Sequence, residues 1–200
     1  MLSNDIAAFI NYKKYILTNK VNRRSEHIDQ VFGIFILDID HFKEVNDRYG
    51  HEAGDLLLTQ FGKILKASVR QDDIIVRFGG EEFLVVLKKT DPNYLAAFAE
   101  KMRAKIETTP FPISADGKKQ IQKTCSIGYV SFPFYAARPD LLKFEKTVML
   151  ADMGLYSAKA QGRNRTVGVN PTAVTPLADQ IKHLVSSLDF AVKNGFVTLL

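Results

Sequence analysis

Two adjacent glycines between two apolar segments constrain the fold of this chain more than any other feature. Residues 73–78 and 82–87 are candidate strands, and Gly79-Gly80 between them indicates a tight hairpin. A hairpin makes at least part of the sheet antiparallel, which argues against a doubly wound parallel fold. The sequence therefore predicts an α/β (α+β) fold in which helices cover a mixed, largely antiparallel central sheet.

Hydrophobic periodicity predicts the remaining elements and their order. These are helix 4–18, strand 31–37, helices 42–49 and 53–69, helix 93–108, strand 121–132, helix 140–161 and strand 165–169. Gly50 and Gly162 are the expected helix stops. The predicted organisation is an N-terminal helix and turn over 1–25, one domain over 26–170, and a linker and helix over 171–200.

The composition suits one α/β domain in a reducing compartment. The chain has 200 residues, 46% of them hydrophobic, which is enough for one packed core. Because Cys125 is the single cysteine, no internal disulfide is expected and a cytoplasmic location is favoured. The net charge is +5, but there is no run of five basic residues and no tryptophan. We therefore predict no nucleic-acid partner, and no membrane partner either, since no apolar run is long enough to span a bilayer.

Two acidic clusters follow from the predicted elements. Asp38 and Asp40 end the first buried strand, and Glu81 and Glu82 sit beside the hairpin turn. Burial of a carboxylate at the end of a strand costs free energy unless a cation or donor pairs with it. Mg²⁺ prefers oxygen ligands and often coordinates a substrate phosphate as well. If the hairpin lies beside the first strand, Asp38 and Glu81 converge on one site. The alternative is that both pairs are solvated acidic turns.

Further polar residues fit a purine nucleotide. Asp55 can accept from the ring N–H and exocyclic amine of guanine, and Asn46 can both donate and accept. Lys43, Lys159 and Arg163 could meet phosphate oxygens, helped by backbone N–H groups at the start of the helix that carries Lys43. The alternatives are an ordinary helix break, with Asp55 in the first turn of the next helix, and solvated cations.

Several motifs follow one another along the chain. They are, in order, Asp38-Ile39-Asp40-His41-Phe42-Lys43, Asn46-Asp47, Gly50-His51-Glu52-Ala53-Gly54-Asp55, Gly79-Gly80-Glu81-Glu82-Phe83, Ser126-Ile127-Gly128, Ala151-Asp152 to Tyr156-Ser157-Ala158-Lys159, and Gly162-Arg163-Asn164. Taken together, these motifs resemble those of the GGDEF family of diguanylate cyclase domains over about residues 16–170. The resemblance implies a palm-like fold of the nucleotidyl-cyclase and polymerase type. It also implies condensation of two GTP into cyclic di-GMP and two pyrophosphates.

The resemblance carries metal and catalytic roles to particular positions. It implies that Asp38, the Ile39 carbonyl and Glu81 bind magnesium, two ions per site with manganese as a substitute. Glu81 would also help to deprotonate the ribose 3′-hydroxyl, with Glu82 in support and Lys43 as a further catalytic residue. The implied substrate-binding residues are Phe42, Asn46, His51, Asp55, Gly79, Gly80, Lys159 and Arg163. Among these, Asn46 and Asp55 would read guanine, and the two glycines would let phosphate approach the backbone.

The family reaction needs two GTP sites that face each other, so the resemblance implies a homodimer for catalysis. Arg70 and Asp73 match the spacing of the family's product-inhibition site for cyclic di-GMP. Two alternatives remain open: a GGDEF module that senses GTP or cyclic di-GMP without catalysis, and an adenylate-type or mixed-dinucleotide cyclase, which Asp55 argues against.

The two ends of the chain depart from the central pattern. Tyr15, Asn19 and Lys20 replace the family's usual Asp, Gly and Leu in the N-terminal turn, which affects the turn's geometry but not the metal and guanine positions. Residues 188–200 weakly resemble the start of an EAL phosphodiesterase domain, and a simple terminal helix is the other interpretation.

Overall fold

The computed structural model describes residues 31–173, 180–184 and 186–200. The strands are β1 (Val31–Ile39), β2 (Ile74–Gly79), β3 (Glu82–Thr90), β4 (Pro110–Pro112), β5 (Gln120–Gln122), β6 (Cys125–Phe132), β7 (Thr166–Pro171) and β8 (Val197–Leu199). The helices are α1 (Phe42–Tyr49), α2 (His51–Lys66), α3 (Tyr94–Thr108), α4 (Phe144–Ala160), α5 (Gln180–Leu184) and α6 (Leu188–Lys193). The predicted helix 4–18 and the N-terminal turn lie outside the described residues.

One six-stranded sheet has the order β2-β3-β1-β6-β7-β8, and β4 pairs with β5 in a small separate sheet. Strand β6 runs parallel to β7, whereas the other neighbours in the large sheet are antiparallel. The predicted fold class is therefore confirmed: helices cover a mixed, mostly antiparallel central sheet. None of the described helices has both the length and the apolar character needed to cross a membrane.

The alternation of β1 side chains divides the core into two layers. Phe35, Leu37 and Ile39 face a cluster that includes α2 and α3, whereas Ile34 and Ile36 face a cluster that includes α4. All five side chains are buried, and full burial of such a side chain contributes about 1.5–3 kcal/mol. Helices on both faces are thereby fixed to the strand that carries the acidic motif.

Backbone contact sets the position of α4 against the sheet. A Cβ placed on Gly128 of β6 would overlap the Ala151 carbonyl and the Leu155 amide of α4, and Gly154 faces β6 from the helix side. Glycine at position 128 is required because no other residue leaves room for this approach. The close crossing fixes the position of α4 on the sheet, and Lys159 follows about one turn after Leu155.

Several element boundaries differ from the prediction. The hairpin turn consists of Gly80 and Glu81 rather than Gly79 and Gly80, because Gly79 already pairs with Glu82 after a register shift past Arg77. The predicted strand 121–132 is wrong as a single element.

The predicted strand 121–132 divides into β5 and β6. Strand β5 pairs with β4, a strand that the prediction missed. The helix predicted for 53–69 spans residues 51–66, and the one predicted for 140–161 begins at Phe144.

The C-terminal segment adds to the central sheet. Strand β7 ends at Pro171, and β8 pairs antiparallel with it, with mutual Gly168–Leu200 backbone hydrogen bonds of 2.9 and 3.0 Å. Helix α6 precedes β8, and Ala191 of α6 is buried in the core cluster on the α4 side of the sheet. The prediction that this tail begins an EAL domain stays a prediction.

Candidate active site

The acidic site lies where β1 meets the β2–β3 hairpin. Asp38 is the register partner of Glu82, and the Ile39 N–H donates to the Glu81 carbonyl over 3.4 Å. The Glu82 carboxylate comes close to Gly79, since a Cβ on that glycine would lie 3.2 Å from Glu82 Oε2. The antiparallel register therefore brings the two predicted acidic clusters together.

Charge repulsion and burial raise the proton affinity of two carboxylates at this site. Burial is the main cause that raises the pKa of Asp38, and Asp40 adds to it, whereas Lys159 and Arg163 act in the opposite direction. Burial also raises the pKa of Glu81, and the nearby Asp38 raises it further. The effect of Asp38 on Glu81 indicates that a cation bound beside both carboxylates would relieve their repulsion.

Lys159 of α4 forms an ion pair with Asp38. Its Nζ atom lies 2.6 Å from Asp38 Oδ2, and only 6% of the Asp38 side chain is exposed. Lys159 thus acts as counter-ion to a carboxylate that is otherwise costly to bury.

The donor set at the strand end fits a magnesium ion that keeps water and phosphate ligands. It offers the carboxylates of Asp38 and Glu81, with the backbone of Ile39 beside them. Among the described residues there is no cluster of three or more His, Cys, Asp or Glu suited to a metal. Mg²⁺ is bound in proteins through one or two carboxylates plus substrate phosphates, so a two-carboxylate set is sufficient for it.

Asp40 has a different role from Asp38, although the sequence grouped them. It is buried, and it accepts hydrogen bonds from Thr124 Oγ1 (2.7 Å), Ser126 Oγ (2.7 Å) and the Asn164 backbone N–H (3.0 Å). Its carboxylate joins β1 to β6 and to the segment after α4. This structural network was not predicted, and the three partners are far away in sequence.

The start of α1 presents backbone donors beside the acidic strand end. His41, the residue before the helix, is left-handed with φ 56°, and no side chain caps the helix. The first N–H groups of a helix have no intrahelical acceptor, so they suit a phosphate. The Phe42 side chain is buried in the core, so only its backbone can meet a ligand, whereas Lys43 extends into solvent.

Asn46 is held by close packing between α1 and α2. A Cβ on Gly54 would overlap Asn46 Oδ1 and would lie 3.1 Å from Phe42 Cζ. Gly54 therefore makes the space that the Asn46 amide fills. His51 and Asp55, the other predicted guanosine-binding residues, are exposed on α2.

A cavity of about 390 Å³ adjoins Asp55. It lies between α2 and the hairpin, and its lining is Asp55, Leu58, Thr59, Gly62, Arg77 and Phe83. Sequence reasoning missed Arg77, whose Nε and Nη2 atoms donate to the Gly80 carbonyl over 3.0 and 2.6 Å. Arg77 thus fixes the turn that carries Glu81, and its position two residues before the Gly-Gly pair was the available signal.

The predicted product-inhibition residues lie at the opposite end of β2. Asp73 is buried, and its two oxygens accept the backbone N–H groups of Arg70 (2.9 Å) and Lys88 (2.8 Å). Arg70 is exposed, and both residues line a cavity of about 220 Å³ between the end of α2, β3 and the start of α3. A six-residue strand separates the two sites, which corresponds to about 20 Å.

The fold and the site define a palm-type domain with carboxylates and cations gathered at its central strands. The chain belongs to the GGDEF domain family, because the family model described as "Diguanylate cyclase, GGDEF domain" matches residues 11–165. The resemblance stated from the sequence is thereby confirmed.

Individual relatives agree with this family. Diguanylate cyclase A of Treponema denticola is 39% identical over 171 residues, covering 82% of this chain and 44% of the relative. The chain spans less than half the length of the first curated relatives it matches. The active GGEEF domain of a diguanylate cyclase from Vibrio cholerae superposes with a TM-score of 0.59 at 27% identity, covering 80% of this chain and 88% of that one. The GGDEF domain of DgcB from Caulobacter crescentus, solved with c-di-GMP, has a TM-score of 0.66 at 23% identity, with 81% and 88% coverage, and supports the fold.

Proposed function

We propose that this chain is a diguanylate cyclase domain that condenses two GTP molecules into cyclic di-GMP and two pyrophosphates. The observation that carries the proposal is the convergence of Asp38, Glu81 and Lys159 within an unbroken Gly-Gly-Glu-Glu-Phe signature. In each of two equivalent steps, the 3′-oxygen of one GTP attacks the α-phosphorus of the other, a P–O bond forms, and pyrophosphate leaves with the electrons of the broken P–O bond.

The proposed roles follow from the chemistry of each group. Magnesium, two ions per site with manganese as a substitute, would supply positive charge for the phosphates and acidify the 3′-hydroxyl. Asp38, the Ile39 carbonyl and Glu81 would hold it. A raised pKa suits Glu81 to receiving the hydroxyl proton, and the Glu82 carboxylate beside Gly79 would support it.

Cations and helix donors would bind the triphosphate. Lys159 would exchange its Asp38 contact for a phosphate oxygen when the metal binds, and Arg163 and Lys43 would stabilise charge on the phosphoryl groups. Gly79 and Gly80 would let the phosphates approach the hairpin backbone.

Guanine would be read between α1 and α2. Asp55 would accept from N1–H and the 2-amino group, Asn46 would complete the base edge, and His51 would contact the ribose. The exposed Asp55 side chain and the Asn46 amide beside Gly54 support this placement of the base.

A working enzyme requires two copies, because each domain supplies one GTP site and the product is symmetric. Product inhibition belongs to the same proposal: Arg70 would donate two hydrogen bonds to guanine O6 and N7 of cyclic di-GMP, and Asp73 would accept from N1–H and N2–H. The cavity that both residues line supports this assignment. We also propose a cytoplasmic location, where GTP is available and the buried Cys125 thiol stays reduced.

The domain division is likewise proposed: the N-terminal helix and turn over 1–25, the cyclase domain over 26–170, and the C-terminal segment over 171–200. The family model matches residues 11–165, so its match overlaps most of the proposed cyclase range and part of the proposed N-terminal helix and turn.

Glu81→Ala tests the proposed chemistry. Loss of this carboxylate should lower the rate of cyclic di-GMP formation by more than about a hundredfold, while the fold survives, because Glu81 is a half-buried turn residue outside the hydrophobic core. Asp189→Asn in α6, far from the hairpin in sequence, removes one negative charge and should leave the rate unchanged. Full activity of a folded Glu81→Ala protein would exclude Glu81 from the metal site.

The second candidate is a GGDEF module that binds GTP or cyclic di-GMP without catalysis. The exposed Arg70 beside a cavity is the observation that favours nucleotide binding of this kind. Calorimetry combined with product analysis separates the two functions, since a pure sensor would bind nucleotide and return GTP unchanged.

A further inference from the structure

The turn that follows α4 carries a run of left-handed residues. Gly162 has φ 115°, Arg163 has φ 63° and Asn164 has φ 45°. Such a conformation is unfavourable for a residue with a long side chain, and Asn tolerates it better than most. The run reverses the chain and keeps Arg163 beside the end of α4, where its backbone N–H donates to the Ala158 carbonyl over 3.0 Å, one residue before Lys159.

Asn164 is the residue that fixes this turn to the rest of the fold. Its backbone N–H donates to Asp40 Oδ2 over 3.0 Å, which joins the turn to the end of β1. Its side chain accepts from Arg103 Nη1 over 2.7 Å and donates to Glu107 Oε1 over 2.7 Å, which joins the turn to α3.

Arg103 and Glu107 bind each other as well as the side-chain amide of Asn164. Arg103 Nη1 also donates to Glu107 Oε2 over 2.8 Å, so the three side chains close a ring. On its other edge Arg103 binds Glu100 through Nε and Nη2, and only 14% of the Arg103 side chain is exposed. The contacts with Glu100 and Glu107 therefore fix the orientation of the guanidinium independently of the Asn164 side chain.

We infer that Arg103, Glu107 and Asn164 are positioning residues that hold Arg163 in place for the triphosphate. The inference rests on the proposed function of the site, and it adds a contact path from α3 to the phosphate end of the substrate. Among the described contacts, none joins these three residues to the Asp38 or Glu81 carboxylate. Their effect passes through the conformation of the turn over 162–164.

Arg103→Met tests this path, because Met keeps an apolar side chain and removes the guanidinium group. We expect the affinity for GTP to fall at least about tenfold, since small misplacements of a positioned group cost this much, while the affinity for GMP changes less than twofold. Asn164→Gly is the second variant. Glycine tolerates the left-handed backbone and keeps the backbone N–H that donates to Asp40, but it lacks the side-chain amide that contacts Arg103 and Glu107. Lys101→Met is the matched control, because it removes one cation from an exposed position of the same helix, two residues from Arg103.

A double-mutant cycle with Arg163→Ala decides the mechanism. If Arg103 acts through Arg163, adding Arg103→Met to Arg163→Ala should weaken GTP binding less than twofold further. An additive loss, or an equal loss for GMP, would overturn the inference. Arg103→Lys, which keeps one contact, should restore part of the affinity.

Amide hydrogen exchange separates this inference from the proposed function. Exchange over residues 162–165 should accelerate in Arg103→Met and Asn164→Gly but not in Lys101→Met. Unchanged exchange in both variants would overturn the positioning role, whatever the activity. If exchange accelerates but Arg163→Ala binds GTP normally, the phosphate role of Arg163 in the proposed function fails, and the positioning of Arg163 for the triphosphate fails with it.

Discussion

Lys159 Nζ and Asp38 Oδ2 lie 2.6 Å apart at the end of the central strand. The pair joins α4, which would bind the phosphates, to β1, which would bind the metal. In the nucleotide-free protein the lysine neutralises a carboxylate that the sheet buries. The same two groups are the ones that the proposed reaction has to separate.

Lys159→Met should destabilise the metal-free protein by about 1–3 kcal/mol, because it leaves Asp38 buried without its counter-ion. The double variant Asp38→Asn/Lys159→Met should recover most of this loss. Chemical denaturation measures both. Lys63→Met, on the exposed part of α2, is the control and should change stability by less than about 0.5 kcal/mol. Equal stability of Lys159→Met and wild type would mean that the pair is of no energetic importance.

The raised pKa values of Asp38 and Glu81 predict the sign of a pH effect. A carboxyl group whose pKa is higher in the folded than in the unfolded state lowers the free energy of unfolding at pH values above its folded-state pKa. This loss of stability disappears as the pH falls to the pKa of the unfolded state. Glu81→Gln should therefore raise the thermal midpoint of the metal-free protein at neutral pH, and this gain should vanish below about pH 4.

Added Mg²⁺ should stabilise the wild type more than Glu81→Gln, because the ion binds only the folded state and the variant lacks one ligand. Identical Mg²⁺ responses in the two proteins would argue against Glu81 as a ligand. Thermal scans at several pH values, with and without the ion, make both comparisons.

Gly54→Ala should separate binding from stability. The new methyl group forces the Asn46 amide out of its place, so GTP affinity should fall about tenfold, by the loss of roughly 1.4 kcal/mol of base contact. Stability should change little, since better helix propensity offsets part of the strain. Gly62→Ala meets no atom within 4 Å and should only gain about 0.5–1 kcal/mol of stability. A Gly54→Ala protein with normal GTP affinity would remove Asn46 from the base site.

Asp55→Ser should weaken discrimination between GTP and ATP. The guanine N1–H and amine lose their carboxylate acceptor, and an unpaired donor costs about 1–3 kcal/mol. Competition between the two nucleotides, measured by product analysis, gives the ratio directly. An unaltered preference for GTP would refute the reading of guanine by Asp55.

Arg70→Ala should weaken cyclic di-GMP binding and relieve product inhibition, with little effect on the initial rate, because Arg70 lies at the far end of β2 from the hairpin. Calorimetry with cyclic di-GMP provides the measurement. Gln71→Ala, on the adjacent exposed position, is the control. Equal binding by wild type and Arg70→Ala would place the inhibitory site elsewhere.

The sequence predicted the sheet and the helices well because their signals are local. The apolar run of β1 and the Gly-Gly pair sufficed to predict an antiparallel sheet, and α1 has the predicted bounds of 42–49. The turn was placed one residue too early, since the register shift past Arg77 depends on tertiary pairing.

The hydrogen bonds of Asp40 and of Arg103 with distant parts of the chain could not be predicted from the sequence. Asp40 sits two residues from Asp38, yet its partners are 84 to 124 positions away along the chain. Likewise, Arg103 and Asn164 are separated by 61 positions. Such contacts carry no periodic signal, so only the folded chain brings them together.

The most direct test of the central claim is identification of the products formed from GTP and Mg²⁺, by chromatography with mass detection. A diguanylate cyclase should release cyclic di-GMP and two pyrophosphates per dinucleotide, with a specific rate that rises with protein concentration as dimers form. GTP returned unchanged by the folded chain at high concentration, or a cyclic mononucleotide as the only product, would contradict the claim.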